Sequence, residues 1–175
     1  MARRKNDAYY TPATMTEELL SRVSLVSEVI LEPCAGKGAI SDILKRDNKV
    51  FTSDIDTSCD TDATADATDP KVMERFALFS DWAVTNPPFK DAFKILQNCL
   101  ALKLKVAFLL RLTFLEPTYE RGEFLKSNPP TKLIVLPRCS FTEDGKTDSV
   151  TCAWMIWDND YEDSWIQVCT KTNTQ

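Results

Sequence analysis

The stretch VTNPPFKDAF, residues 84–93, sets Asn86 immediately before Pro87, Pro88 and Phe89. Proline fixes its own φ and donates no hydrogen bond. A Pro-Pro pair at the exit of an apolar run therefore makes a rigid, non-repetitive turn. Such a turn holds one amide and one ring in fixed places. An asparagine oxygen and the following backbone carbonyl can both accept N–H bonds from an amine, while an aromatic ring can stack on a flat substrate. That is chemistry by positioning rather than by proton transfer. The composition points the same way, because the chain has no histidine. Ser-His and Cys-His nucleophilic catalysis are thereby excluded.

Two further segments carry chemistry. In LEPCAGKGAI, residues 31–40, Gly36 and Gly38 are two of only four glycines in the chain. A strand–GxG–helix unit is the nucleotide-binding arrangement in outline. Ser41 stands where a dinucleotide fingerprint wants its third glycine, and the G-x-x-x-x-G-K spacing of a P-loop is missing. Glu32, just before the loop, would repel a pyrophosphate but attract an ammonium or a sulfonium. That charge favours an amino-acid-bearing nucleoside such as S-adenosylmethionine over NAD. An ordinary tight strand–helix turn is the alternative. In FTSDID, residues 51–56, Asp54 follows Gly38 by 16 residues. It ends the second strand, where Rossmann-like sites bind ribose hydroxyls. Asp56 points the same way if the strand continues, but a loop cap is the reading favoured for it.

These residues need strands and helices to carry them. TPATMTEELLSRVSLV opens a helix, with Thr14 and Glu17 at capping-box spacing. EVILEP is a short buried strand, CAGKGAISDILKRD a turn into a helix, and KVFTSDID a second strand. Residues 57–70 form an Asp/Thr/Ala-rich loop holding a short strand with no fixed place. PKVMERFALF is a helix with Pro70 at its start, WAVTNPPF a strand and turn, and KDAFKILQNCLALK an amphipathic helix. VAFLLRLTFL is a buried strand, PTYERGEFLKS a helix, and KLIVLP and SVTCAWMIWD strands. WIQVCT is a last short edge strand. This alternation indicates an α/β sheet, mostly parallel, and in such sheets ligands bind beyond the carboxyl ends of the strands. The three chemical segments all fall at those ends.

With 175 residues the chain is expected to form a single domain over 1–175. There is no apolar run long enough to span a membrane, and the basic start MARRKNDAYY lacks the apolar segment of a secretory signal, so a cytoplasmic location is expected. The six cysteines form no CxxC pair, so reduced thiols are expected and zinc is not. The net charge is −5, yet residues 90–146 carry 10 Lys+Arg against 6 Asp+Glu. That segment either faces an anion or is ordinary solvated helix surface.

TNPPF resembles the (D/N/S)-P-P-(Y/F/W) motif of amino-group methyltransferases, among them enzymes that methylate the exocyclic amine of adenine in DNA. YYTP, residues 9–12, EPCAGKG, SDID, ADATDP and RCSFTEDGKTDSVTCAWMIW resemble successive motifs of small bacterial and phage-type adenine methyltransferases, in the same order. The resemblance implies a Rossmann-like class I methyltransferase fold. Its sheet would be mostly parallel and seven-stranded, with an antiparallel last strand. It implies S-adenosyl-L-methionine as cofactor. It places Tyr10, Thr11, Pro12, Glu32, Cys34, Ala35, Gly36, Gly38, Asp54, Ile55, Asp66, Ala67 and Asn86 around that cofactor. Asp62 is the rival of Asp66 for the adenine amine of the cofactor, since two DAT strings occur. Asn86, Pro87, Pro88 and Phe89 would be the catalytic turn, and Phe89 and Phe141 would pack on a flipped base.

Phe141 is equally a core phenylalanine, and Trp154, Trp157 and Trp165 are core or edge packing. Arg111 could contact a phosphate or pair with Glu116. The implied substrate is nucleic acid, DNA first and single strands included. RNA adenine, a protein glutamine amide, and an inactive cofactor-binding subunit are the alternatives. The family's usual target-recognition domain has no room after TNPPF, and an acidic chain is poorly suited to tight duplex binding. Four expectations stay open: a protein partner that supplies target recognition, action on single strands, a reading of few bases, or a lost ability to bind DNA.

Overall fold

Strand and helix alternate as the residue pattern requires. A computed structural model describes residues 11–116, 118–137, 150–158, 160 and 166–168. Tyr10, Phe141 and Trp165, along with Cys139 and Cys169, lie outside the described residues. The order is α1 (Ala13–Leu20), β1 (Val29–Glu32), α2 (Ser41–Leu44), β2 (Lys49–Asp54), β3 (Ala63–Thr64), α3 (Pro70–Ala77), β4 (Trp82–Thr85), α4 (Ala92–Ala101), β5 (Lys105–Arg111), α5 (Tyr119–Ser127), β6 (Lys132–Val135), β7 (Cys152–Trp157) and β8 (Ile166–Val168).

One sheet runs β3-β2-β1-β4-β5-β7-β6-β8. The expected seven-stranded, mostly parallel sheet is present, with β7 antiparallel to both β5 and β6. The edge strand read in WIQVCT extends it as β8, parallel to β6. The strand that could not be placed between residues 57 and 70 is β3, parallel to β2. From β1 the chain steps outward through β2 and β3, then returns to lay β4 on the other side of β1. The β1/β4 boundary is therefore the switch point of the sheet, the place where sheets of this kind bind ligands.

Both faces of the sheet are buried, and successive strand residues alternate between them. Trp82, Val84, Ala107 and Leu109 pack with α1 and α2. Ala83, Val106, Phe108 and Leu110 pack with α3 and α4. Helix α1 is hooked to the far half of the sheet by two bonds. The Trp154 indole N–H on β7 donates to the Met15 carbonyl at 2.7 Å, and the Lys132 ammonium on β6 donates to the Arg22 carbonyl at 2.8 Å. Trp154 and Trp157 are buried, as core packing requires.

Two local expectations change. Pro12 is the cap residue of α1, with no side-chain cap bond, so the helix starts a residue before Thr14. The Thr14 hydroxyl then sits inside the first turn, where it cannot form the capping box with Glu17. The apolar run VAFLLRLTFL pairs as a strand only to Arg111, and Leu112–Leu115 coil into a 3-10 turn. Helix α3 begins as expected, with Pro70 in its first turn and Asp69 accepting from the Lys71 N–H.

Candidate active site

The loop after β1 is built on two positive-φ glycines, Gly36 (54°) and Gly38 (82°). A side chain at Gly38 would press on the Ser41 hydroxyl at 3.3 Å, so only glycine fits the turn into α2. At Gly36 a Cβ would meet nothing within 4 Å, which leaves that side of the loop open to an approaching molecule.

Asp54 is the hub that holds the loop. Its Oδ2 accepts the Gly36 N–H at 2.8 Å and its Oδ1 accepts the Asp56 N–H at 2.9 Å. Its carbonyl accepts the Ala65 N–H at 2.8 Å, and the Ala35 N–H donates to the Ser53 carbonyl at 3.0 Å. Strand ends β1, β2 and β3 are thus tied together at one residue. Ile55, next to it, is 60% exposed although apolar. Asp56 accepts from both the Ser58 N–H and hydroxyl, the loop cap favoured for it.

The two DAT strings do different work. Asp62 accepts the Thr52 N–H and hydroxyl, both at 2.8 Å, and the N–H bond above all holds its carboxyl below the ordinary range. Asp62 is therefore spent on pinning β2. Asp66 is exposed and uses one oxygen, Oδ1, on the Thr68 N–H and hydroxyl. The loop carrying Asp66 is held from beneath by Asn98 of α4. The buried Asn98 amide donates to the Ala67 and Thr68 carbonyls, both at 3.0 Å. The sequence marks Asn98 only as a polar residue among the apolar positions of an amphipathic helix.

Glu32 is 1% exposed at the tip of β1, and its Oε2 has no hydrogen-bond partner among the described residues. Burial raises its carboxyl to about 8, against the opposing pull of Ser41 and Lys45. Cys34 lies beside it. Burial first, and then Asp54, raises its thiol well above the ordinary value, so it is no nucleophile.

At the end of β4 the Asn86 side-chain N–H donates to the Thr11 hydroxyl at 3.1 Å. Thr11 is buried, two residues ahead of α1. The bond turns the amide so that Oδ1 faces the other way. No donor among the described residues bonds Asn86 Oδ1 or the Pro87 carbonyl. The Pro88 carbonyl is different, since it accepts the Asp91 and Ala92 N–H groups, each at 2.9 Å, and so starts α4. Thr85 spans the switch point, its hydroxyl reaching the Cys34 carbonyl at 3.4 Å. Arg111 does not pair with Glu116. Its guanidinium carbon lies 3.9 Å from the centroid of the Phe89 ring, and it is Arg121 that donates to the Glu116 carbonyl. The ends of β1, β2 and β4 thus carry Glu32, Gly36, Asp54, Asn86 and Phe89, and the Asn86 bond adds Thr11, from four separate parts of the chain.

Among solved structures, the chain resembles one described as the modification subunit of a type I restriction enzyme from Vibrio vulnificus (14% identity, TM-score 0.64), covering 96% of this chain and 48% of that one. A type I restriction-modification system methyltransferase subunit from Streptococcus thermophilus matches at 16% identity and TM-score 0.56, over 86% and 45%. A chain described as an RNA methyltransferase from Pyrococcus horikoshii matches at 17% identity and TM-score 0.62, over 89% of each. These likenesses establish the Rossmann-like fold shared with methyltransferases. The chain spans about half the length of the first two. No protein-family model and no curated protein matches the sequence. Among the described residues no helix is long and apolar enough to cross a membrane.

Proposed function

We propose that the protein is an S-adenosyl-L-methionine-dependent methyltransferase acting on the exocyclic amine of adenine in DNA. The observation that carries this reading is the orientation of Asn86. Its amide is fixed by Thr11 at the switch point, beside an open glycine loop, with Oδ1 and the Pro87 carbonyl available as a pair of acceptors.

The cofactor fits the residues around that loop. The buried, unpartnered Glu32 Oε2 suits an ammonium group. The open side of Gly36 suits close approach of the backbone to a ligand. Asp54 keeps lone pairs for ribose hydroxyls, Ile55 offers an exposed apolar face to an adenine ring, and Asp66 Oδ2 is left for an amine. When bound, S-adenosylmethionine supplies a methyl group on a positively charged sulfur.

The chain's own part is to hold the acceptor nitrogen. Asn86 Oδ1 and the Pro87 carbonyl accept its two N–H bonds, which draws the lone pair out of the ring plane and aims it. Phe89 supplies a platform for the base. The Pro-Pro turn orders these groups before substrate arrives, so their entropy cost falls on folding rather than on the reaction. Target choice is assigned to a partner chain, a reading supported by the likeness to two chains described as subunits of type I restriction systems.

RNA adenine is the second reading, supported by the likeness to a chain described as an RNA methyltransferase. The test is transfer of labelled methyl from the cofactor to single- and double-stranded DNA, RNA and a glutamine peptide. Label in DNA supports the proposal, and label only in RNA or peptide moves the substrate. Cofactor binding without transfer to any of them leaves an inactive subunit. Full activity of Asn86→Ala would sink the amine-holding role.

A further inference from the structure

Arg111 ends β5, the neighbour of β4, and the register carries it level with the Pro-Pro turn: Thr85 faces Phe108, three residues before each. Its guanidinium carbon is 3.9 Å from the Phe89 centroid, in van der Waals contact with the ring that ends the turn. A guanidinium carries five N–H donors, so a half-buried one normally finds a carboxylate or carbonyl. Among the described residues no carboxylate pairs with Arg111 and no carbonyl accepts from its side chain, while its guanidinium lies over the Phe89 ring. The contact is made through the carbon at the centre of the group, which leaves the N–H donors at its rim unbonded. A guanidinium can use its face on a ring and its edge on an anion at the same time, because the two directions are perpendicular. Arg111 also belongs to a long segment with a basic excess, residues 90–146.

Resting on the adenine reading above, we propose that Arg111 is a substrate-contacting residue that binds a backbone phosphate flanking the base held at Asn86 and Phe89. A phosphate oxygen accepts from the rim of the guanidinium while its face stays on Phe89. Phosphate recognition and base stacking are then joined in one side-chain pair. This assigns the site to a polynucleotide rather than to a protein amide or a free nucleoside, neither of which brings a phosphate to that position.

The experiment is binding of a fluorescent adenine-containing single-stranded oligonucleotide to the whole protein with S-adenosylhomocysteine present, across a range of salt. Wild type, Arg111→Gln and Arg111→Lys are compared. Arg111→Gln should bind about tenfold more weakly, and the slope of log affinity against log salt should flatten by about 0.7, the loss of one phosphate contact on a single strand. Arg111→Lys should keep the slope and recover part of the affinity, which a purely structural role would not produce. S-adenosylhomocysteine titration of each variant checks that the cofactor half is intact. Equal affinity and slope for wild type and Arg111→Gln would overturn the inference while leaving the amine-holding role of Asn86 standing. Wild type that binds no oligonucleotide would also overturn it. If DNA receives no methyl group in the transfer assay yet the Arg111 salt effect is seen, the phosphate contact stands and the DNA reading falls.

Discussion

The Asn86 amide and the Thr11 hydroxyl lie 3.1 Å apart across 75 residues of chain. One belongs to the turn after β4 and the other to the residues leading into α1. The contact fixes the amide by its nitrogen and leaves Oδ1 on the opposite side.

Asn86→Ala should lower the rate of methyl transfer by about a hundredfold or more, the scale on which removing one preorganised polar group acts. S-adenosylhomocysteine affinity should change little. Labelled-methyl incorporation and calorimetric titration on the same preparation read the two quantities.

Thr11→Val removes the hydroxyl but keeps the shape. The amide then loses its anchor, and kcat should fall about tenfold, the worth of roughly one hydrogen bond. Thr11→Ser should restore most of it. A change confined to KM would show that the hydroxyl does not orient Asn86.

Asp54→Ala should weaken S-adenosylhomocysteine at least about tenfold. It removes the charged partner proposed for the ligand and also the acceptor of the Gly36 and Asp56 N–H groups. Titration calorimetry would detect it, and unchanged affinity would remove Asp54 from the ligand site.

Glu32 gives the protein a pH dependence of definite sign. Burial raises its carboxyl from 4.5 to about 8, so the folded chain keeps a proton that the unfolded chain releases. Stability without ligand should therefore fall as pH rises from about 4.5 to about 8, then level off. Glu32→Gln should lack that fall in thermal melts across the same range. An ammonium beside Glu32 favours the carboxylate, so ligand binding should release a proton at neutral pH and tighten as pH rises toward about 8. Calorimetry in buffers of different ionisation heat measures the proton.

Asn98→Leu should cost about 2 kcal/mol of stability, because the Ala67 and Thr68 carbonyls lose their buried donor. A urea midpoint shift at constant slope would show it. Ligand affinity should fall with it, since Asn98 sets the loop that carries Asp66.

What was legible in the sequence was local. Two glycines, two prolines and an acid after a short apolar run each declare a backbone need at one place, and the runs around them declare the strands. The adjacency of elements is not local. Nothing in VAFLLRLTFL marks where pairing with β7 stops, because the residues after Arg111 are as apolar as those before it. The partner of Arg111 depends on β4 and β5 lying side by side. The load on Asn98 depends on α4 crossing beneath the loop of Asp66. Asp62 and Asp66 sit in similar strings, and only the proximity of Thr52 tells them apart.

A ribosome delivers α1 well before β6 and β7. Until Lys132 and Trp154 have emerged, the Arg22 and Met15 carbonyls lack their donors, and the helix behind Thr11 is held only by its apolar packing. The glycine loop, Asp54 and the turn at Asn86 have all been synthesised by then. The last strands made thus supply the final two anchors of the segment that carries Thr11.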